Sequence, residues 1–131
     1  MLVVDAIAPG IRWLPRPWTL AGVVLAGLGV GLHVAGTGTF RRYRTTVAVL
    51  APPNCLVVDG PFRFTRNPMY LGGVLMLLGL GVLLGSATPF LVVPLWMVLM
   101  QARFIRREEA LLTRVFGEVY EAYSARVRRW L

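Results

Sequence analysis

Gly60-Pro-Phe-Arg-Phe-Thr-Arg-Asn-Pro-Met-Tyr70 opens a passage in which charge stops abruptly. From Asn67 to Ala102, 36 consecutive residues carry no Asp, Glu, Lys or Arg, and Arg66 and Arg103 mark the two ends. One helix of that length would rise roughly 54 Å at ~1.5 Å per residue, against a bilayer hydrocarbon core of about 30 Å. A single crossing is too short an explanation. Gly85-Ser86-Ala87-Thr88-Pro89 punctuates the run near its middle with residues that favour turns, so the sequence predicts two helices folded back as a hairpin. Both ends then share one face of the membrane, and the Arg66 segment meets whatever follows Arg103.

The composition agrees with a membrane setting. The chain has 131 residues, 56% of them hydrophobic and 15% charged, with a mean hydropathy of +0.65. Soluble domains are about 45–50% apolar and about 25% charged. The net charge is +8, and all 14 basic residues are arginines. They cluster beside apolar tracts, where topology and lipid headgroups explain them more simply than nucleic acid does. With no folded basic domain and no repeated polar stripe through the spans, nucleic-acid and channel readings are weak. Cys55 is the single cysteine, which rules out an intrachain disulfide and a cysteine metal cluster.

Outward from the hairpin, Pro17 to Phe40 form a second uncharged tract of 24 residues, long enough for one more spanning helix. Gly27 and Gly31, four apart, offer it a face for close helix packing. Residues 1–16 are too interrupted by Asp5, Pro9 and Pro15 for a signal peptide; Ile11, Trp13, Leu14 and Trp18 read as interfacial anchors. The loop 41–66 carries five arginines and one acid, and the tail from Arg103 seven arginines against four glutamates. That bias puts both in the cytoplasm. Within the loop, 45–58 reads as an irregular segment over the cytoplasmic mouth of the bundle, since a lone strand at 45–50 has nothing to pair with. Asn67–Pro68 and Thr88–Pro89 have the residue types of helix starts, and Pro94 should bend the third helix.

After Phe104, Leu111, Leu112, Val115 and Phe116 fall on one stripe of an amphipathic cytoplasmic helix. Gly117 interrupts it before Tyr120 and Tyr123. The expectation is an all-α integral membrane protein of one domain, 1–131. Its parts are an interfacial segment 1–16, spanning helices over 17–40, 68–84 and 88–102, and a cytoplasmic cap over 103–131.

The hairpin brings Arg63, Arg66, Asn67 and Tyr70 toward Arg103, Glu108 and Glu109. Carboxylates for an ammonium, arginines for a carboxylate and rings for an adenine would suit a zwitterionic ligand. Arg–Glu pairs and tyrosines that merely seal helix ends have equal chemical warrant.

Two ordered motifs favour the ligand. Gly60-Pro-Phe-Arg-Phe-Thr-Arg-Asn-Pro-Met-Tyr-Leu-Gly72 matches G-x-Y-R-x-x-R-H/N-P-x-Y-x-G. Glu108-Glu-Ala-Leu-Leu112 with Phe116-Gly-Glu-Val-Tyr120-Glu-Ala-Tyr123 matches E-E-x-x-L-x-x-x-F-G-x-x-Y-x-x-Y. From about Phe40 to Leu131 the sequence resembles the isoprenylcysteine carboxyl methyltransferase family and its phospholipid methyltransferase kin. The resemblance implies S-adenosylmethionine as methyl donor, held at the cytoplasmic helix ends under the carboxy-terminal segment. By motif position, Arg66, Asn67, Pro68 and Tyr70 would border the cofactor pocket, and Glu108 and Glu109 would complete it through the donor's amino group. Tyr120 and Tyr123 would wall it.

The implied acceptor is a lipophilic small molecule, lipid or lipidated group, with a carboxylate favoured by the family name, in a bacterial inner membrane. A non-catalytic membrane subunit of the same fold is the alternative. Asn67, a familiar bacterial variant, stands where the eukaryotic members have histidine and cannot act as a base; Phe62 replaces a tyrosine. His33 reads as a packed helix histidine or as a base for an amine acceptor. Bacterial relatives often carry a further apolar helix ahead of the first span, which residues 1–16 are too short to supply. A homodimer or another membrane partner is then expected to cover part of the first span at the Gly27–Gly31 face, with lipid as the competing occupant.

Overall fold

A computed structural model describes residues 17–45, 53–85, 87 and 89–131. The expected anchors Ile11, Trp13 and Leu14, the segment 46–52, Ser86 and Thr88 lie outside the described residues. Among those described, the chain is all-α and contains no strand.

Helix α1 spans Ala21–Arg42, led in by a 3₁₀ turn at Trp18–Leu20. It runs two residues past the expected end at Phe40, with Arg41 and Arg42 in its last turn, where cations complement the exposed carbonyls. It is long and apolar enough to cross a membrane, and is the one described helix that is. Only 11% of its apolar window is buried inside the protein, unlike a soluble core helix. Val24, Leu28 and Val34 all stand open, which is the surface a lipid-facing helix presents.

Helix α2 covers Pro68–Leu84, with Pro68 at its first position. Gly85 closes it at φ +63°, a left-handed conformation that glycine adopts without steric cost. The α1–α2 contact is built from glycines. Gly22, Gly29 and Gly36 recur at intervals of seven, as do Gly72 and Gly79, and each set keeps to one helical stripe. A methyl group on Gly29 would lie 2.6 Å from the Gly72 carbonyl oxygen, and one on Gly72 would lie 2.7 Å from that of Gly29. Gly79 stands likewise against Gly22, and Gly36 against Met69. The pairing is antiparallel, backbone on backbone.

Gly27 and Gly31 take no part in this seam and have nothing within 4 Å. At 100° per residue they lie about 140° and about 180° round the helix from Gly22. That face is left without a neighbour from the described residues.

Helix α3, Pro89–Met100, leans on α2: Pro89 abuts Gly81, and the Trp96 ring lies 3.0 Å from where a Gly73 side chain would begin. Pro94 sits within it. The helix does not stop at Ala102. Its backbone widens into a π turn at Gln101–Ile105 and continues as α4, Arg106–Phe116. No glycine or proline intervenes, so the switch from apolar to charged sequence at Arg103 changes the surroundings of the rod without ending it. Gly117, at φ +53° and ψ −126°, turns the chain into α5, Glu118–Arg126. The core lies under the helix ends, where Ile105, Thr65, Phe62, Tyr120 and Tyr123 are buried.

Candidate functional site

A 3₁₀ turn, Gly60–Arg63, puts Phe62 edge-on against Phe40, with ring centroids 5.1 Å apart. The Phe62 carbonyl accepts the Tyr123 hydroxyl at 2.7 Å. Thr65, 2% exposed, donates its hydroxyl to the Arg129 carbonyl at 3.1 Å. The backbone N–H of Arg66 donates to the Arg128 carbonyl at 3.0 Å. Asn67 occupies the N-cap position of α2 but makes no side-chain cap. Its side-chain N–H donates to the Arg129 carbonyl at 3.0 Å instead. The expected helix-start residue is therefore the seat of the C-terminal tail.

Across from this loop, α4 presents two carboxylates with different surroundings. Glu109 takes both nitrogens of an Arg129 fork, at 2.9 and 2.7 Å, and lies 3.3 Å from the Arg66 guanidinium. Glu108 accepts the Tyr70 hydroxyl at 3.2 Å, and no other donor to it occurs among the described residues. Burial pushes the Glu108 carboxyl above its ordinary range; the Tyr70 hydrogen bond opposes the shift and neighbouring Glu109 adds to it. Burial also raises the Tyr120 phenol and pushes Tyr123 up to about 12. Both phenols are therefore protonated donors at neutral pH. The Arg129 guanidinium is raised by its bond to Glu109. Arg66 Nε is buried with no hydrogen-bond partner among the described residues, a cost that calls for a ligand atom or water.

Apart from Arg129, which grips Glu109 from behind the wall, these groups line one open cavity of about 110 Å³. Arg66, Asn67, Pro68, Tyr70, Glu108, Glu109, Tyr120 and Tyr123 all reach its wall. An apolar side is made by Phe40, Leu56, Val57, Met69, Leu111 and Leu112. The described part of the loop thus lies against the mouth. Val115, expected on the same stripe as Leu111, is 45% exposed. Arg63 and Arg103 are exposed and stand outside the cavity wall. His33 is also outside it: its Nδ1 lies 3.3 Å from the Met69 carbonyl oxygen.

Arg129 is the member of this polar cluster that the motifs did not reveal. It lies beyond both, and nothing in Arg126-Val-Arg-Arg-Trp130 marks which arginine turns inward.

The family model described as phospholipid methyltransferase matches residues 18–119. Similar curated proteins include the protein-S-isoprenylcysteine O-methyltransferase of Schizosaccharomyces pombe, 36% identical over 55% of this chain and 30% of that protein. The cobalt-zinc-cadmium resistance protein CzcN of Cupriavidus metallidurans is 37% identical over 76% of this chain and 44% of its own length. The nickel-cobalt-cadmium resistance protein NccN of Alcaligenes xylosoxydans xylosoxydans is 35% identical over 95% and 57% respectively. The chain therefore spans from under a third to somewhat over half the length of these relatives. With the model matching from the start of the first helix to the start of the last, the chain belongs to the phospholipid methyltransferase family.

Proposed function

We propose that this protein transfers a methyl group from S-adenosylmethionine to a lipophilic acceptor at the cytoplasmic face of a membrane. The observation that carries the reading is convergence: residues from two motifs some forty positions apart meet on one cavity beside apolar helices. On this reading α2 and α3 form the spanning hairpin beside α1. The helices carry the cavity at their cytoplasmic ends, in the inner membrane of a bacterium.

The residues present fit the donor's chemistry. Glu108 is a half-buried carboxylate with a single described hydrogen-bond donor, suited to an ammonium. Arg66 Nε–H is buried with no partner among the described residues, suited to a carboxylate. The Tyr120 and Tyr123 rings, 6.1 Å apart, offer faces to an adenine or a cation. Bound there, the cofactor supplies an electrophilic methyl group on a sulfonium sulfur.

The chain's own contribution is to bind, orient and exclude water. Glu109 is committed to two arginines, Glu108 on this reading to the ammonium, and the two cavity phenols of α5 hold their protons, so none supplies a ready base. An acceptor that arrives as an anion needs none. This supports a carboxylate acceptor over an amine, with Leu56, Val57 and Met69 forming an apolar seat for its tail.

Titration calorimetry of the protein in lipid nanodiscs with S-adenosylmethionine tests the reading. Saturable binding, followed by label transfer to a prenylcysteine or phospholipid acceptor, is expected. Binding without transfer to any acceptor class supports the non-catalytic subunit, and no binding sinks the donor site.

A further inference from the structure

Two adjacent carboxylates in one cavity invite the assumption that they do the same job. Their contacts differ. Both Glu109 oxygens are occupied: Oε1 by Arg129 Nε and Arg66 Nη1, Oε2 by Arg129 Nη2. A fork-on-carboxylate pair of this geometry is among the strongest side-chain contacts and is fixed in direction. Among the described residues Glu108 has one donor, the neutral Tyr70 hydroxyl.

Arg129 does not reach Glu109 from a free end. Its carbonyl is held by Thr65 and Asn67, and the carbonyl before it by the Arg66 N–H. Trp130 Nε1 donates to Gln101 Oε1 at 3.3 Å, tying the next residue to the π turn. The tail is thus fastened on both sides of the guanidinium. Removing the fork would leave Glu109 with one arginine and two freed lone-pair sites.

We propose that Arg129 is a positioning residue that divides the glutamates between two tasks: it clamps Glu109 as a structural anion and leaves Glu108 as the carboxylate that receives a ligand's cationic group. This rests on the donor-site reading above. Asn67 then acts on the ligand indirectly, by seating the Arg129 backbone.

The test measures binding of S-adenosyl-L-homocysteine, which keeps the ammonium and carboxylate of the donor, to the full chain in nanodiscs. Thermal unfolding is followed in parallel. Glu108→Gln should weaken binding about 10- to 100-fold without lowering the unfolding midpoint. Glu109→Gln and Arg129→Gln should each lower the midpoint and weaken binding less. The Glu109→Gln/Arg129→Gln double variant should be no worse than the poorer single one, because both remove one clamp; Glu108→Gln and Arg129→Gln should add on binding. Arg129→Lys, which keeps charge and loses the fork, should restore part of the midpoint.

A wild-type protein that binds neither homocysteine analogue nor S-adenosylmethionine overturns the donor site and this division with it. Wild-type binding that Glu109→Gln abolishes as fully as Glu108→Gln, at an unchanged midpoint, overturns the division alone. Additive losses for Glu109→Gln with Arg129→Gln do the same.

Discussion

Helix α1 meets helix α2 backbone to backbone at paired glycines, whereas residues 65–70 meet α4 and the tail through directed hydrogen bonds and ion pairs. Along the seam, Gly22, Gly29, Gly72 and Gly79 bring two backbones into contact, where weak Cα–H···O contacts and dispersion act over the whole length. Beside the cavity, Glu109, Arg129, Thr65 and Asn67 make a few directed bonds. The seam has one way to pack and no room to give. The cavity end can trade one partner for another, and that is where a ligand can act.

The seam should be the less forgiving region. Gly79→Leu places a branched side chain against the Ala26 and Gly22 backbones, which cannot retreat without parting the helices. Overpacking costs about 1–3 kcal/mol where side chains can shift, so a loss above about 3 kcal/mol is expected here, read as unfolding or failure to purify from membranes. A stable Gly79→Leu protein would break the contrast.

At the cavity end, Asn67→Ala removes one bond to the Arg129 carbonyl and leaves that of Thr65. A loss of about 1–1.5 kcal/mol is expected. Calorimetric or fluorescence unfolding in nanodiscs measures it, and a cost matching the seam variant would show that the tail is as rigid as the seam.

Glu108→Gln should act with the opposite sign on stability. Burial holds the folded-state pKa of Glu108 above the ordinary 4.5, so folding favours its protonated form. That stabilisation is complete below the ordinary value and is lost as pH rises through the raised one. At neutral pH the wild type carries a buried charge that the glutamine variant lacks. The unfolding midpoint of Glu108→Gln should equal or exceed that of wild type at pH 7, with the gap closing in acid. A lower midpoint at pH 7 would mean the carboxylate has a cationic partner in the free protein.

The smallest effect is expected at Gly27. With nothing within 4 Å, Gly27→Leu should leave the unfolding midpoint within about 0.5 kcal/mol of wild type. Crosslinking in native-like bilayers then reads whether a second copy covers that face. Association lost in Gly27→Leu assigns it to a dimer; a monomer throughout assigns it to lipid.

What the sequence made legible follows from where side chains carry the signal. Pro68 and Pro89 begin helices as their residue types predict, and the two motif stretches converge on one cavity. The seam was hidden because a glycine contact leaves no chemical trace, and 14 glycines supply several spacings of which one is used. Arg129 was hidden because its backbone is held through carbonyls, which every residue has. Asn67 carried a true positional signal with a different use for its side chain.

The wide turn at Gln101–Ile105 sets the phase of the long rod. Trp96 meets α2 at Gly73 and Glu108 meets it at Tyr70, twelve steps apart along the chain. In an uninterrupted α-helix those steps, at 100° each, would leave Glu108 about 120° round from Trp96. A π turn absorbs one additional residue and takes back about 100° of that offset. The same side of one continuous rod can thus be apolar against α2 below the turn and acidic against it above, with no loop between to loosen the aim of Glu108.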